Sequence, residues 1–201
     1  VIRSVISDLG KVILFFDNDI FFRKITPHSP FSLERIKEVA RTHFELVMDF
    51  DRGEMTPRQF YEEVIHRFKA KIAFRTFYKI YNDVFSLNQP VLETLKRLRS
   101  KYRLVLLSNT DVMRFGFVRQ NFPEIFLFDA YVLSYEVGYM KPHPQIYRAA
   151  LEQAETKPQE CIFIDDMEEN IEGAQRLEIN TILFTPRTNL EESLRDYGLS
   201  F

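Results

Sequence analysis

Four polar features stand where short apolar runs end, and their chemical types suit one reaction. Asp8 follows Val5-Ile6-Ser7 and precedes Leu9-Gly10. Ser108-Asn109-Thr110 ends Leu104–Leu107. Lys141-Pro142 follows Ala130–Leu133 through SYEVGYM, and Asp165-Asp166 closes Cys161–Ile164. Three carboxylates, Asp8, Asp165 and Asp166, offer the hard oxygen ligands that Mg²⁺ takes, with water and a substrate phosphate completing its octahedron. Gathered without a cation they would repel, and at least one would hold a proton. Asp8 is also of the type that attacks phosphorus to form an aspartyl-phosphate. A serine hydroxyl, strand-end amides and the Lys141 ammonium can hold the charge on the transferring group, which is most of what phosphoryl transfer asks of a protein.

The elements that must carry these residues read as alternating strands and helices. The runs around Val5, Leu104, Ala130, Cys161 and Thr181–Phe184 are nearly continuous in hydrophobicity, as strands buried on both faces of a parallel sheet are. Between them lie helices with clear starts: Pro90 before VLETLKRLRSK, Asp111 before VMRFGFVRQNF, and His143-Pro144 before QIYRAALEQAE. Glu168–Leu177 and Asn189–Asp196 supply two more. The pattern predicts an α/β fold with a doubly wound parallel sheet and right-handed crossovers. In such sheets ligands sit beyond the carboxyl ends of the strands, where all four polar features would meet.

One stretch breaks the rhythm. From Phe16 to about Phe85 no strand is expected, only helices: Ser32–Met48 with apolar residues at helical spacing, a helix opened by Thr56-Pro57, and Ala73–Val84 with Phe74, Phe77, Tyr78 and Tyr81 on one stripe. These aromatics are expected to form the core of a small bundle rather than a cofactor site. The expected organisation is a core domain of residues 1–16 and 86–201 with a helical cap of residues 17–85 standing over the sheet edge.

Totals set the remaining bounds. Charged residues are 28% of the 201 and the formal net charge is −2, so no large positive field exists to attract nucleic acid or an anionic membrane. No apolar run approaches the roughly 18 residues of a membrane span. The single Cys161 excludes an internal disulfide and fits a reducing compartment, so a cytoplasmic protein is expected. Monomer or homodimer is left open.

Taken together, VISDLGKV, LLSNT, YMKPHPQIY and FIDDMEENIEGA resemble, in order, the four motifs of the haloacid-dehalogenase (HAD) superfamily of hydrolases. The stretch DRGEMTPRQFYEEV resembles the cap of its phosphatase branch, including proteins similar to sugar-1-phosphatases. The resemblance implies a Rossmann-like core with a cap inserted after the first strand. It implies Asp8 as nucleophile and metal ligand, with the Gly10 carbonyl as a second ligand. Leu9, Gly10, Ser108 and Asn109 would bind the phosphoryl group. Lys141 would steady both nucleophile and phosphate. Asp166 would ligate Mg²⁺ directly, and Asp165 either directly or through water. The substrate implied is a small phosphorylated metabolite such as a sugar phosphate.

Gly10 departs from that pattern. Most phosphatases of the superfamily carry a second Asp there as general acid and base; haloacid dehalogenases do not, but they need no Mg²⁺, and the acidic pair Asp165-Asp166 makes sense mainly as a metal site. A general acid contributes about 10²–10⁴ in rate, so its loss need not abolish activity. The expectation is a phosphatase limited to leaving groups that depart without much proton help, with Lys11 as a conceivable substitute donor or an ordinary turn lysine. A catalytically silent binding protein and a 2-haloacid dehalogenase are the alternatives. Each residue also has a plainer reading: Asp8 as a turn residue, Ser108-Asn109 and Asp165-Asp166 as helix caps, Lys141 as a solvated loop charge. Asp17 and Asn18 are expected at a hinge turn.

Overall fold

The computed structural model describes all 201 residues. The chain runs β1 (Ser4–Ser7), β2 (Leu14–Phe16), α1 (Asn18–Ile25), α2 (Leu33–Thr42), α3 (Glu45–Asp51), α4 (Pro57–Phe68), α5 (Phe74–Asn82), β3 (Phe85–Leu87) and α6 (Gln89–Leu98). It continues β4 (Arg103–Ser108), α7 (Val112–Asn121), β5 (Ala130–Leu133), α8 (Ser134–Val137), α9 (Pro144–Ala154), β6 (Cys161–Asp165), α10 (Glu168–Gln175), β7 (Asn180–Leu183) and α11 (Leu190–Asp196).

Five strands form one parallel sheet in the order β5-β4-β1-β6-β7. The first strand is central, which is why its residues are all buried. Successive side chains of a strand point to opposite faces, and each face has its own core. Val5, Leu104, Leu106, Ile162 and Ile164 meet Leu92 and Leu95 of α6, Phe115 and Val118 of α7, and Leu190 and Leu194 of α11. Ile6, Val105, Leu107 and Phe163 meet Ile146, Tyr147 and Ala150 of α9 and Ile171 and Ala174 of α10. Continuous apolar strands therefore follow from burial on both sides. Gly173 lets α10 lie against its neighbours: a Cβ there would fall 2.8 Å from the Tyr147 hydroxyl and 2.9 Å from Pro142.

Register brings the strand tips level. Ser7 pairs with Leu106 on one side and Ile164 on the other, so Asp8, Leu107-Ser108 and Asp165 share one edge.

Helices α1 to α5 pack around a separate cluster that includes Phe21, Ile25, Ile36, Phe50, Phe60, Phe77 and Tyr81, joined by Met113 of α7. Phe50 stacks on Phe60 at 4.3 Å, and Phe77 on Tyr81 at 5.6 Å. The aromatic stripe is thus a packed core. Thr56 makes a capping box with Gln59 at the start of α4.

Two expectations need correction. Residues 32–48 are not one helix: the chain leaves helical geometry at His43 (φ −117°, ψ 36°) and restarts as α3. The Thr42 hydroxyl bonds back to the Glu38 carbonyl in the last turn of α2, the competition by short polar side chains that weakens helices. The stretch is also not free of strands at its margins. Antiparallel β2 and β3 close it as a two-stranded ribbon, with Phe16 opposite Phe85. Three residues each are too few for alternation to register in sequence.

Candidate active site

Asp8 is positioned by the sheet itself. Its N–H donates to the Ile164 carbonyl at 2.9 Å, continuing the β1–β6 ladder by one residue, and the residue is only 7% exposed. The chain then turns tightly: the Leu9 carbonyl accepts from Ile13 and Leu14 N–H groups, and Lys11 takes a left-handed φ of 57°. No hydrogen bond is donated to the Gly10 carbonyl, and the Gly10 N–H has no partner.

Lys141 is buried, and its ammonium has three acceptors: Asp8 Oδ1 at 2.7 Å, Asp165 Oδ2 at 2.6 Å and the Leu107 carbonyl at 3.2 Å. An ammonium has three N–H donors, so it is fully satisfied. Burial alone would lower its pKa, but Asp8 and Asp165 more than offset this and hold it above the ordinary lysine value. It is a buried, charged pivot between two strand tips.

Asn109 fixes the backbone of that lysine. Its Nδ2 donates to the Lys141 carbonyl at 3.0 Å and its Oδ1 accepts the Lys141 N–H at 2.8 Å. One amide N–H and the amide oxygen of Asn109 are therefore committed to Lys141. Its main-chain N–H has no partner in the protein. Ser108 ends β4, is 3% exposed, and its hydroxyl makes no bond within the protein.

The acidic pair divides its work. Asp165 is fully buried, and its Oδ1 accepts from Met167 N–H at 2.9 Å and Asn170 Nδ2 at 3.0 Å while Oδ2 faces Lys141. Asp166 is partly exposed, with the Lys11 ammonium 3.5 Å away. One carboxylate oxygen each from Asp8, Asp165 and Asp166 lie within 4.8 Å of one another. Burial, with the Asp165 charge, pushes Asp8 up to about 7 despite Lys141 and the Leu9 N–H. Burial and Asp165 likewise raise Asp166 against the pull of Lys11 and Lys141. Three crowded acids share one buried ammonium, a deficit of positive charge that a divalent cation would correct. The hard oxygen donors fit Mg²⁺.

Sequence reading missed several residues. Asn170 holds Asp165 and keeps a buried amide oxygen without a partner; its place five residues after Asp165 was a usable signal. Asp111 caps α7 as expected, but the polar cluster it joins, where helices α1, α3 and α5 meet α7, was not foreseen. Asp111 accepts from the Tyr81 hydroxyl at 2.9 Å, Arg114 donates to Asn18 Oδ1 at 2.9 Å, and Asp51 is pushed up to about 7 by burial and Asp111. Asp17 caps α1. Arg114, Asn18 and Tyr81 line a cavity of about 110 Å³ whose other walls include Phe21, Phe60 and Phe68. A larger cleft of about 640 Å³ meets the acidic site at Lys11 and Asp166. Of the tyrosines after β5, Tyr139 is exposed and stacks on His143 at 4.4 Å.

An aspartate tied to a buried lysine, beside an acidic pair at the carboxyl edge of a parallel sheet, is the arrangement of an α/β hydrolase. A family model of haloacid dehalogenase-like hydrolases matches residues 21–177, and the chain belongs to that family of enzymes. It is 25% identical over 199 residues to drimenol cyclase of Aspergillus calidoustus, covering 96% of this chain but 36% of the cyclase, so it spans about a third of that protein's length. To D-ribitol-5-phosphate phosphatase of Bacteroides thetaiotaomicron it is 22% identical over 191 residues, covering 90% of each. The crystal structure of a HAD family enzyme from Bacteroides thetaiotaomicron matches with a TM-score of 0.85 at 29% identity, over 96% of this chain and 98% of that one. A structure of that enzyme in complex with magnesium and inorganic phosphate matches with a TM-score of 0.80 at 26% identity, over 97% and 100%.

Proposed function

We infer that the protein is a Mg²⁺-dependent phosphatase acting on a small phosphorylated metabolite through an aspartyl-phosphate on Asp8. The observation that carries the reading is the placement of Asp8 between Lys141, at 2.7 Å, and the acids Asp165 and Asp166. A similar enzyme that binds magnesium and phosphate, and a relative that is a D-ribitol-5-phosphate phosphatase, support it.

Lys141 binds Asp8 Oδ1 and so aims the free Oδ2 away from itself. That oxygen attacks phosphorus, the bond to the leaving oxygen breaks, and the departing group keeps the electron pair. Water then attacks the phosphorus of the aspartyl-phosphate, releasing phosphate and restoring the carboxylate. The Ser108 hydroxyl and the unpartnered N–H groups of Gly10 and Asn109 are the donors available to the phosphoryl oxygens. Asp8, Asp166 and the Gly10 carbonyl would hold Mg²⁺, with Asp165 behind them fixing Lys141 and the loop. Bound there, the cation supplies neutralising charge for the phosphoryl group. Burial of the site excludes competing water, and residues 17–85, as a cap, set substrate choice.

The test is a phosphate-release screen over sugar, nucleotide and acyl phosphates, with and without Mg²⁺, using Asp8→Asn as control. Release that needs both Mg²⁺ and Asp8 supports the reading. Ligand binding without turnover would make the protein a silent binder, and halide release insensitive to EDTA a dehalogenase.

A further inference from the structure

The side chain that residue 10 lacks would have a definite place in the fold, crowded by an aromatic ring. A Cβ on Gly10 would lie 3.9 Å from Asp8 Oδ2, the carboxylate oxygen that Lys141 leaves free, and 3.0 Å from Cε1 of Phe16. A contact of 3.0 Å is too tight to hold without movement of the ring. Phe16 ends β2, is half-buried, and packs edge-on against Phe85 of β3 with centroids 6.3 Å apart. The Lys11 ammonium lies 5.9 Å from the Phe16 centroid, its charge directed to Asp166. On the residue 10 side of Asp8, then, the neighbour is an aromatic edge and not a carboxyl.

We propose that Phe16 is a specificity-determining residue, crowding the side-chain position of residue 10 so that a leaving group meets an aromatic ring in place of a proton donor. This rests on the phosphatase reading. The class of substrate follows from the chemistry: phosphate monoesters or anhydrides whose leaving group departs as a stable anion and has a flat, apolar face, such as aryl, enol or aromatic acyl phosphates. Ring-on-ring contact favours these groups, and none of them needs protonation to leave. Alkyl phosphates need the proton and would lose the general-acid factor of about 10²–10⁴.

Two measurements test this. The first compares 4-nitrophenyl phosphate with glycerol 3-phosphate for the wild type, Gly10→Asp, Phe16→Ala and the double variant, all with Mg²⁺. The wild type should favour the aryl ester. The double variant should turn over the alkyl ester about 10²-fold faster than Gly10→Asp alone, because the ring crowds the new carboxylate in the single variant. A single Gly10→Asp change as effective as the double variant would overturn the proposal, as would an unchanged aryl preference in Phe16→Ala. The second measurement needs no turnover: the melting temperatures of Gly10→Ala in the wild-type and Phe16→Ala backgrounds. A loss of several degrees in the first and almost none in the second supports the shared space, since contacting residues couple in such cycles. Additive shifts refute it. Should the wild type release phosphate from nothing, the phosphatase reading fails, and the melting cycle still decides whether Phe16 crowds the residue 10 position.

Discussion

Asn109 and Lys141 are locked together by two reciprocal hydrogen bonds, each amide atom of the Asn109 side chain meeting one main-chain group of Lys141. The clamp matters because the Lys141 ammonium can stand between Asp8 and Asp165 only if its backbone is held at the tip of β4. Asn109→Ala removes both bonds. At roughly 0.5–1.5 kcal/mol net for each, the fold should survive with a modest fall in melting temperature. Turnover should drop by about 10-fold or more, since displacement of a positioning group costs far more in rate than in stability. Phosphate-release kinetics beside thermal unfolding check this; equal, small effects on both would deny the clamp a role in catalysis.

Removing the ammonium itself tests the charge balance. Lys141→Met keeps the apolar stem and leaves Asp8 and Asp165 buried without their shared partner. Breaking a buried pair by deleting one member costs about 3–5 kcal/mol. The loss should be largest near pH 8, where Asp8 must carry its charge, and smaller near pH 5, where it takes a proton; it sits at about 7 even with Lys141 present. Unfolding at the two pH values decides the matter. A loss relative to wild type that is equal at both would mean that the carboxylates are not held by Lys141.

How far the chain's order of residues discloses this arrangement depends on how local each feature is. The sheet was legible because strands buried on both faces carry unbroken apolar runs, and the strand tips could be found by reading where those runs stop. That placed Asp8, Asp165, Asp166 and Lys141 on one edge. The direction of a side chain is another matter: nothing in LLSNT says that the Asn109 amide turns to the Lys141 backbone rather than outward. Phe16 looks like one more aromatic at the start of an apolar insert, and its contact with Gly10 depends on a ribbon closed by Phe85, far along the chain. Asp51, Tyr81 and Arg114 meet only through the packing of helices α3, α5 and α7, so no spacing rule reveals them. The break at His43 arises from competition within one turn that apolar periodicity does not record.

Mg²⁺ should stabilise the protein. A ligand bound only by the folded state adds about 2.7 kcal/mol at a hundredfold excess over its Kd, or roughly 5–10 °C in a domain of this size. Because burial raises Asp8 and Asp166 above ordinary carboxylate values, protons compete with the cation, so the shift should be smaller at pH 6 than at pH 8. Asp166→Asn should cancel most of it, Asp166 being the acid with no donor other than Lys11. Thermal melts with Mg²⁺ or EDTA at both pH values read this directly. An unchanged melting temperature in the wild type would show that the three acids do not form a metal site.

Asp51, at the end of helix α3 against the β5–α8 junction, should make stability pH-dependent. Its carbonyl accepts from the Ser134 hydroxyl, while its carboxyl is pushed up to about 7 by burial first and Asp111 second, with Arg114 and Arg52 opposing. Burial raises Asp111 as well, and Tyr81 is raised far above its ordinary value and stays neutral. A folded-state value above the unfolded one means that folding takes up a proton. The stability Asp51 contributes is therefore whole below about pH 4, declines above it, and is lost as the pH rises through about 7. Measured in saturating Mg²⁺, where the titration of Asp8 is suppressed, the melting temperature should be several degrees lower at pH 8 than at pH 5. Asp51→Asn keeps an uncharged side chain at every pH, so its profile should be flatter and should cross above the wild type near neutrality. If the variant kept the full wild-type slope, the pH dependence would have to come from another group.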